Sequence, residues 1–215
     1  MDGKANTSAA KNEEARRKLI EAAGQIFAEV GYEAATVRQI TDRAQVNVAA
    51  VNYYFRDKLQ LYRTVLQFVT GRAHNLLKQH CMQGTAEERL RNFVRCIMMV
   101  ESNEQHSWAR LLMAREVAEL HEAQASLLVE VVRPMHEIAE TIVRDLAGQE
   151  APQALTRFAA GLVVSVCVNR VPQQRLDYRL YPEMRLDETD IEQTIEKIYQ
   201  FTLAGVRGLF EKRFP

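Results

Sequence analysis

The chain has 215 residues, enough for one large domain or two small ones. With 47% hydrophobic and 26% charged residues it has the make-up of a soluble globular protein, and a formal net charge of +0 supplies no overall basic field for nucleic acid. Its three cysteines, Cys81, Cys96 and Cys167, have no C-x-x-C spacing, which argues against a disulfide framework or a cysteine zinc site and points to a reducing cytoplasm.

The first eighteen residues, MDGKANTSAAKNEEARRK, contain no apolar run and do not make a signal peptide. Residues 1–12 are small and polar and are expected to form a disordered arm. Lys4 and Lys11 could touch phosphates there, although a solvated tail is the simpler reading. The first helix comes next, with Leu19, Ala22, Ala23, Ile26, Phe27 and Val30 on one apolar stripe and Gly31 as its stop.

Thr36 to Lys58, TVRQITDRAQVNVAAVNYYFRDK, reads as two short helices and the start of a third. Thr36 and Gln39 have the spacing of a capping box. Val37, Ile40 and Ala44 then recur at helical spacing. Gln45-Val46 is the turn and Asn47 the next cap. The second helix, Val48 to Phe55, is expected to turn Val48, Val51 and Phe55 inward. Asp57 caps the third helix. Two short helices joined by a tight turn are a helix-turn-helix, whose second helix can enter a DNA major groove. Charge adds little, with ten basic against eight acidic residues through Arg63.

The run GYEAATVRQITDRAQVNVAAVNYYFRDKLQLYRTVL, within Leu19 to Leu66, resembles the DNA-binding segment of TetR-family transcriptional regulators. Three positions depart from the common pattern. Gln45 stands where Gly is usual, Asn47-Val48-Ala49-Ala50 replaces a Ser-Lys-Gly-Thr-like run, and Asn52 replaces a Tyr. They leave the operator sequence open. The resemblance implies a three-helix DNA-binding domain over 13–60. Thr36 offers a hydroxyl and free N–H groups to a phosphate, and Arg38 reaches a base edge or a phosphate. Asn47 and Asn52 are the hydrogen-bonding side chains of the recognition helix, while Ala49 and Ala50 permit close approach or contact with a thymine methyl, and Val48 is a further DNA-binding candidate beside them. Tyr53, Tyr54 and Lys58 match the family's phosphate-contacting positions. Capping alone would also explain Thr36 and Asn47, and packing on the first helix would explain the tyrosines.

Leu59, Leu61, Tyr62, Val65, Leu66 and Val69 continue as a long connecting helix. From Thr85, which with Glu88 forms a second capping box, everything reads as helix. Leu90, Phe93, Val94, Ile97 and Met98 line one face; a break near 102–107 precedes Trp108 to Leu120. Leu127 to Leu146 contains Pro134, where a kink is expected. Phe158 to Val168 is apolar nearly all round, which predicts a buried central helix too short to cross a bilayer. An irregular loop is expected over 170–187, then a last helix from Thr189 to Phe210 with Ile191, Ile195, Ile198, Phe201 and Leu209 inward. No strand pattern occurs.

SWARLLMAREVAE, VVRPMHEIAETIV and YQFTLAGVRGL resemble the C-terminal domain of the TetR subgroup that includes the cefoperazone and chloramphenicol sensitivity regulator (CecR-like). The fold expected is therefore all-α, with a helix-turn-helix domain and a helical ligand-binding and dimerisation domain over 61–215. Phe93, Met98, Trp108, Met113 and Phe158 are candidate apolar pocket residues, with His136 as a polar contact. Core packing explains each of them taken singly. His136-Glu-Ile-Ala-Glu140 lacks the final His of a zinc-protease motif, so neither an enzyme nor a metal or cofactor site is expected. The partners expected are a pseudo-palindromic double-stranded DNA operator, a small-molecule inducer and a second copy of the chain, with no membrane. The dimer face would be formed by the helix around 153–169 and the last helix. A repressor is the first reading; an activator of the same family, or a helical scaffold without DNA binding, are the alternatives.

Overall fold

The computed structural model describes residues 3–103, 106–119, 122–182 and 191–211. Among them the chain forms α1 (Gly3–Ala34), α2 (Val37–Ala44), α3 (Ala49–Phe55), α4 (Lys58–His80), α5 (Ala86–Glu101), α6 (Ser107–Glu119), α7 (Glu122–Ala147), α8 (Gln153–Leu180) and α9 (Ile191–Glu211), and no strand.

The helices fall into two compact units, Met1–Thr70 with Glu104–Val131, and Gly71–Asn103 with Val132–Pro215. These compact units do not coincide with the expected division at residue 60. The first half of α4, α6 and the first part of α7 belong with the helix-turn-helix. One of the three boundaries falls between α5 and α6, and the other two lie inside α4 and α7, beside weak points. Gly71 has low helix propensity, and Pro134 cannot donate to the carbonyl of Glu130.

In the first unit, α1 carries Leu19, Ala23, Ile26 and Phe27 into a core shared with Ile40, Val51, Phe55, Leu61, Tyr62, Val65 and Leu112. The helix reaches back to Gly3, where a disordered arm was expected from residue 1 to 12; residues 1 and 2 lie outside the described ones. Alanines favour the helix there, and Glu14 pairs with Arg17 one turn on. Gly31 (φ 79, ψ 169) breaks the helix just before its last turn. The Arg115 guanidinium lies about where a Cβ would project, 3.1 Å away.

In the second unit, α5, α8 and α9 pack on one another. Leu90, Phe93, Val94, Ile97 and Met98 meet Ala159, Val163, Val164, Cys167, Ile195, Ile198 and Leu203. Ion pairs join α5 to α9 in antiparallel order: Arg95 to Glu192 at 2.5 Å, Arg91 to Glu196, and Glu87 to Arg207. Arg91 also sits 4.0 Å over the Tyr199 ring.

Several further expectations change here. Through Leu180 the expected loop is helix, with Pro172 inside it. Arg170 and Gln173 both bond Asp177, at 2.8 and 3.0 Å, which holds the turns beyond the proline. The remainder of that expected loop, 183–187, lies outside the described residues, as do Thr189 and Asp190. Nor is α8 buried all round. Ala159, Ala160, Val163 and Val164 face the core, while Phe158 is 58% and Leu162 46% exposed. Phe201 of α9, expected inward, is 68% exposed. By length and composition alone the segment Gln153–Gln174, with a mean hydropathy of 1.4, would suffice to cross a membrane, which the shorter stretch at 158–168 had concealed. The core helix of a globular protein passes the same test, and one face of α8 does pack into such a core.

Candidate nucleic-acid interface

The helix-turn-helix is built by local hydrogen bonds. Thr36 is extended (φ −112, ψ 149), and its Oγ1 accepts from the Gln39 backbone N–H at 3.2 Å. Gln39 Oε1 accepts in return from the Thr36 N–H at 2.9 Å. At the other end of α2, Gln45 adopts the left-handed region (φ 55, ψ 44) where the family usually has Gly. The N–H groups of Gln45 and Val46 close back on the carbonyls of Asp42 and Thr41. The unusual residue therefore keeps the usual turn, at a cost of order 1 kcal/mol.

Asn47 Oδ1 accepts from the Ala49 N–H at 2.8 Å, so this side chain caps α3 and retains its amide donors for other use. Val48 is 51% exposed rather than inward. Val51 and Phe55 anchor α3 in the core, and Val48, Ala49, Asn52 and Tyr53 form its outward face, with Ala50 half-buried beside it. Tyr53 is 74% exposed and its ring meets Tyr54 edge-on at 4.8 Å. Tyr54 is half-buried, its hydroxyl donating to Asn12 Oδ1 at 3.2 Å. Arg38 stands free of the core, its side chain 87% exposed, with only a long 3.9 Å approach to Asp42. Arg43, by contrast, is held by Glu29 of α1 through two bonds of 2.6 and 2.9 Å, and this guanidinium holds the Glu29 carboxyl below its usual range.

Lys58 is a correction. The resemblance placed it on a phosphate. Its ammonium instead donates to the carbonyls of Tyr32 and Ala35 at 2.8 and 2.9 Å and lies 4.3 Å from the centre of the Tyr32 ring. The carbonyls at the end of α1 have no partner within their own helix, and the cation satisfies them. Burial, with Glu33 and Asp57 adding to it, pushes the Tyr32 phenol up, so the ring stays neutral beneath the cation. Asp57 caps α4 as expected, accepting from the Gln60 N–H at 2.8 Å. Sequence reasoning missed Arg56, which comes directly after α3, is exposed, and has a positive φ of 74. Its basic type at the end of the recognition helix was the available signal.

The proposed pocket residues are not brought together. Trp108 and Met113 belong to the core of the first unit. The Trp108 ring fills the space where a Cβ on Gly24 would lie, 2.1 Å away, and its Nε1 donates to Glu21 Oε1 at 2.6 Å. This locks α6 on α1, and Trp108 is withdrawn as a pocket residue. Phe93 and Met98 lie in the core of the second unit, whereas His136 and Phe158 are exposed on its surface. Cys81, Cys96 and Cys167 are buried and free, and burial pushes the Cys167 thiol up to about 12.

Residues 19–65 match the family described as bacterial regulatory proteins, tetR family. Residues 86–206 match the C-terminal domain of the HTH-type transcriptional dual regulator CecR. A curated relative, the HTH-type transcriptional regulator BetI of Escherichia coli (strain K12 / DH10B), is 38% identical over 82 residues, which span 37% of this chain and 42% of BetI. The chain thus matches less than half the length of that relative. Among solved structures, the fatty acid degradation regulator FadR from Bacillus halodurans superposes with a TM-score of 0.68 at 19% identity, over 90% of this chain and 96% of that one. A bacterial regulatory protein in the tetR family from Rhodococcus RHA1 gives 0.66 at 16% identity, over 89% and 96%. These two likenesses show the fold. With its helix-turn-helix and most of its remaining helices both matched, the chain belongs to the TetR family of bacterial regulatory proteins, DNA-binding regulators of transcription rather than enzymes, with a C-terminal domain of the CecR kind.

Proposed function

We propose that the chain acts in the cytoplasm as a homodimeric repressor, which binds a pseudo-palindromic operator and leaves it when a small, mostly apolar molecule enters the second unit. One observation carries the DNA half. The outward face of α3 is composed of small and hydrogen-bonding side chains, Ala49, Asn52 and Tyr53, on a helix anchored by Val51 and Phe55. Such a face suits base edges in a major groove. Thr36 and Arg38 lie exposed at the start of α2 and suit the flanking phosphates.

The dimer is supported by the open faces of α8 and α9. Phe158, Leu162 and Phe201 are exposed there, and a Cβ added at Gly161, Gly205 or Gly208 would meet nothing within 4 Å. Large apolar groups beside gaps suit the close approach of another helix. A second copy also answers the need for two recognition helices about 34 Å apart. Phe158 is therefore reassigned from the pocket to this face. For the ligand, support narrows to Phe93 and to Met98, whose flexible thioether can yield to an apolar guest. To move the population from about 1% to 99% released, the ligand must favour the released form by roughly 5.5 kcal/mol per dimer.

A gel shift with the DNA just upstream of the chain's own gene tests this reading. A complex that survives excess random-sequence competitor and is dissolved by an apolar effector supports it; no complex at micromolar protein overturns it. The dual regulation in CecR's name makes activation the second reading, for which a reporter that falls when the gene is deleted would be the sign.

A further inference from the structure

The sequence offered the first twelve residues as a loose tail. Instead α1 begins at Gly3, and Asn12 and Arg16 within it reach side chains of the recognition helix. Asn12 accepts the Tyr54 hydroxyl at 3.2 Å, and the Arg16 guanidinium sits 5.6 Å from the centre of the Phe55 ring. Beside them is an open groove of about 400 Å³ between Lys11 and Lys18, walled by Ala10, Glu14, Ala15 and by Val46 of the helix-turn-helix turn.

The groove is basic and unobstructed. From Lys11 to Lys18 the chain carries four basic residues against two acidic ones. Glu14, the acid in the groove, is already engaged by Arg17 at 2.9 and 3.0 Å, which holds its carboxyl below the usual range. Lys18 approaches it only to 3.8 Å, the outer edge of an ion pair. Lys11 and Lys18 are both exposed, and Ala10 and Ala15 put only small side chains into the groove lining.

We propose that the first turns of α1 are part of the DNA interface: Lys11 and Lys18 hold the sugar–phosphate backbone flanking the half-site, and Asn12 positions Tyr54, and through it Tyr53, on the recognition helix. This rests on the DNA-binding reading above. Lysines on phosphates carry no base information, so they add affinity and salt dependence but no sequence preference. Asn12 acts by holding the phenol that braces the exposed Tyr53 ring.

The test is a titration of the full-length chain against cognate and random duplexes, by fluorescence anisotropy at several salt concentrations. Each phosphate contact contributes about 0.9 to the slope of log K against log salt. In a dimer the Lys11→Gln/Lys18→Gln variant removes four such contacts, so it should lower the slope by about 3.6, weaken both duplexes alike and leave the preferred sequence unchanged. Asn12→Ala should leave the slope alone and weaken cognate binding by about fivefold. Tyr54→Phe should add nothing to Asn12→Ala. A wild-type chain that binds no DNA overturns this inference and the DNA-binding reading together. Wild-type binding with an unchanged slope in the lysine variant overturns the phosphate groove alone. Additive losses for Asn12→Ala and Tyr54→Phe overturn the positioning role.

Discussion

Two helices in this molecule leave a face uncovered, and they do so in opposite chemistry. α3 is short, and its outward face is Val48, Ala49, Asn52 and Tyr53, with Asn47 capping its start. α8 is four times as long, and its outward face is headed by Phe158, Leu162 and an open Gly161. Burying the first face against another apolar surface would strand the Asn52 amide. Leaving the second in water exposes two large apolar side chains in adjacent turns. The first suits a polar, charged partner and the second an apolar one. Neither distinction is a matter of hydrophobic periodicity, since both helices have a regular apolar inner stripe.

The largest expected effect comes from spoiling the apolar face. Phe158→Glu with Phe201→Glu would place two carboxylates per chain at the proposed dimer contact. Each buried charge costs several kcal/mol, so the chain should sediment as a monomer and lose operator affinity while its circular dichroism stays helical. A variant that remains dimeric would move the contact elsewhere.

Trp108→Ala comes next. The ring fills the gap at Gly24 and bonds Glu21, so its removal should lower stability by about 3–5 kcal/mol in denaturant titrations. Were Trp108 a pocket residue, the variant would keep its stability and lose only its response to effector.

Lys58→Met is smaller and separates two roles cleanly. It keeps most of the apolar stem and removes the cation from the carbonyls of Tyr32 and Ala35. A loss of about 2 kcal/mol is expected, with the salt dependence of DNA binding unchanged. A slope reduced by about two units, one per protomer, at unchanged stability would return Lys58 to a phosphate. Smallest of all, Gln45→Gly relieves a left-handed residue and should raise stability by about 1 kcal/mol, read as a rise in the melting midpoint.

Most of the helix-turn-helix was legible in the sequence because its determinants are local. Thr36 finds Gln39, Asn47 finds Ala49 and Asp57 finds Gln60, all within three residues. The features that were not legible depend on distant partners. Lys58 bonds carbonyls more than twenty residues earlier, and Trp108 enters a slot at Gly24 that no spacing could announce. An apolar stripe at helical period also cannot say whether protein core or a second chain will cover it, which is why Phe158 and Phe201 were read as inward. The division into units escaped for a related reason. Two of its three boundaries fall inside α4 and α7, at Gly71 and just before Pro134, while both helices continue across them. At the end of α8, Pro172 suggested a loop, and side-chain bonds to Asp177 overruled it.

The most direct measurement is selection of bound sequences from a random DNA library, run with the wild-type chain and with Asn52→Ala in parallel. The wild type should enrich a pseudo-palindrome whose half-site centres are separated by about one helical turn, or a multiple of it. Asn52→Ala should keep that spacing and relax one position in each half-site, at about 1–3 kcal/mol for the preferred base. No enriched sequence, an enriched site without two-fold symmetry, or an identical preference in both chains would contradict a dimer that reads DNA with the outward face of α3.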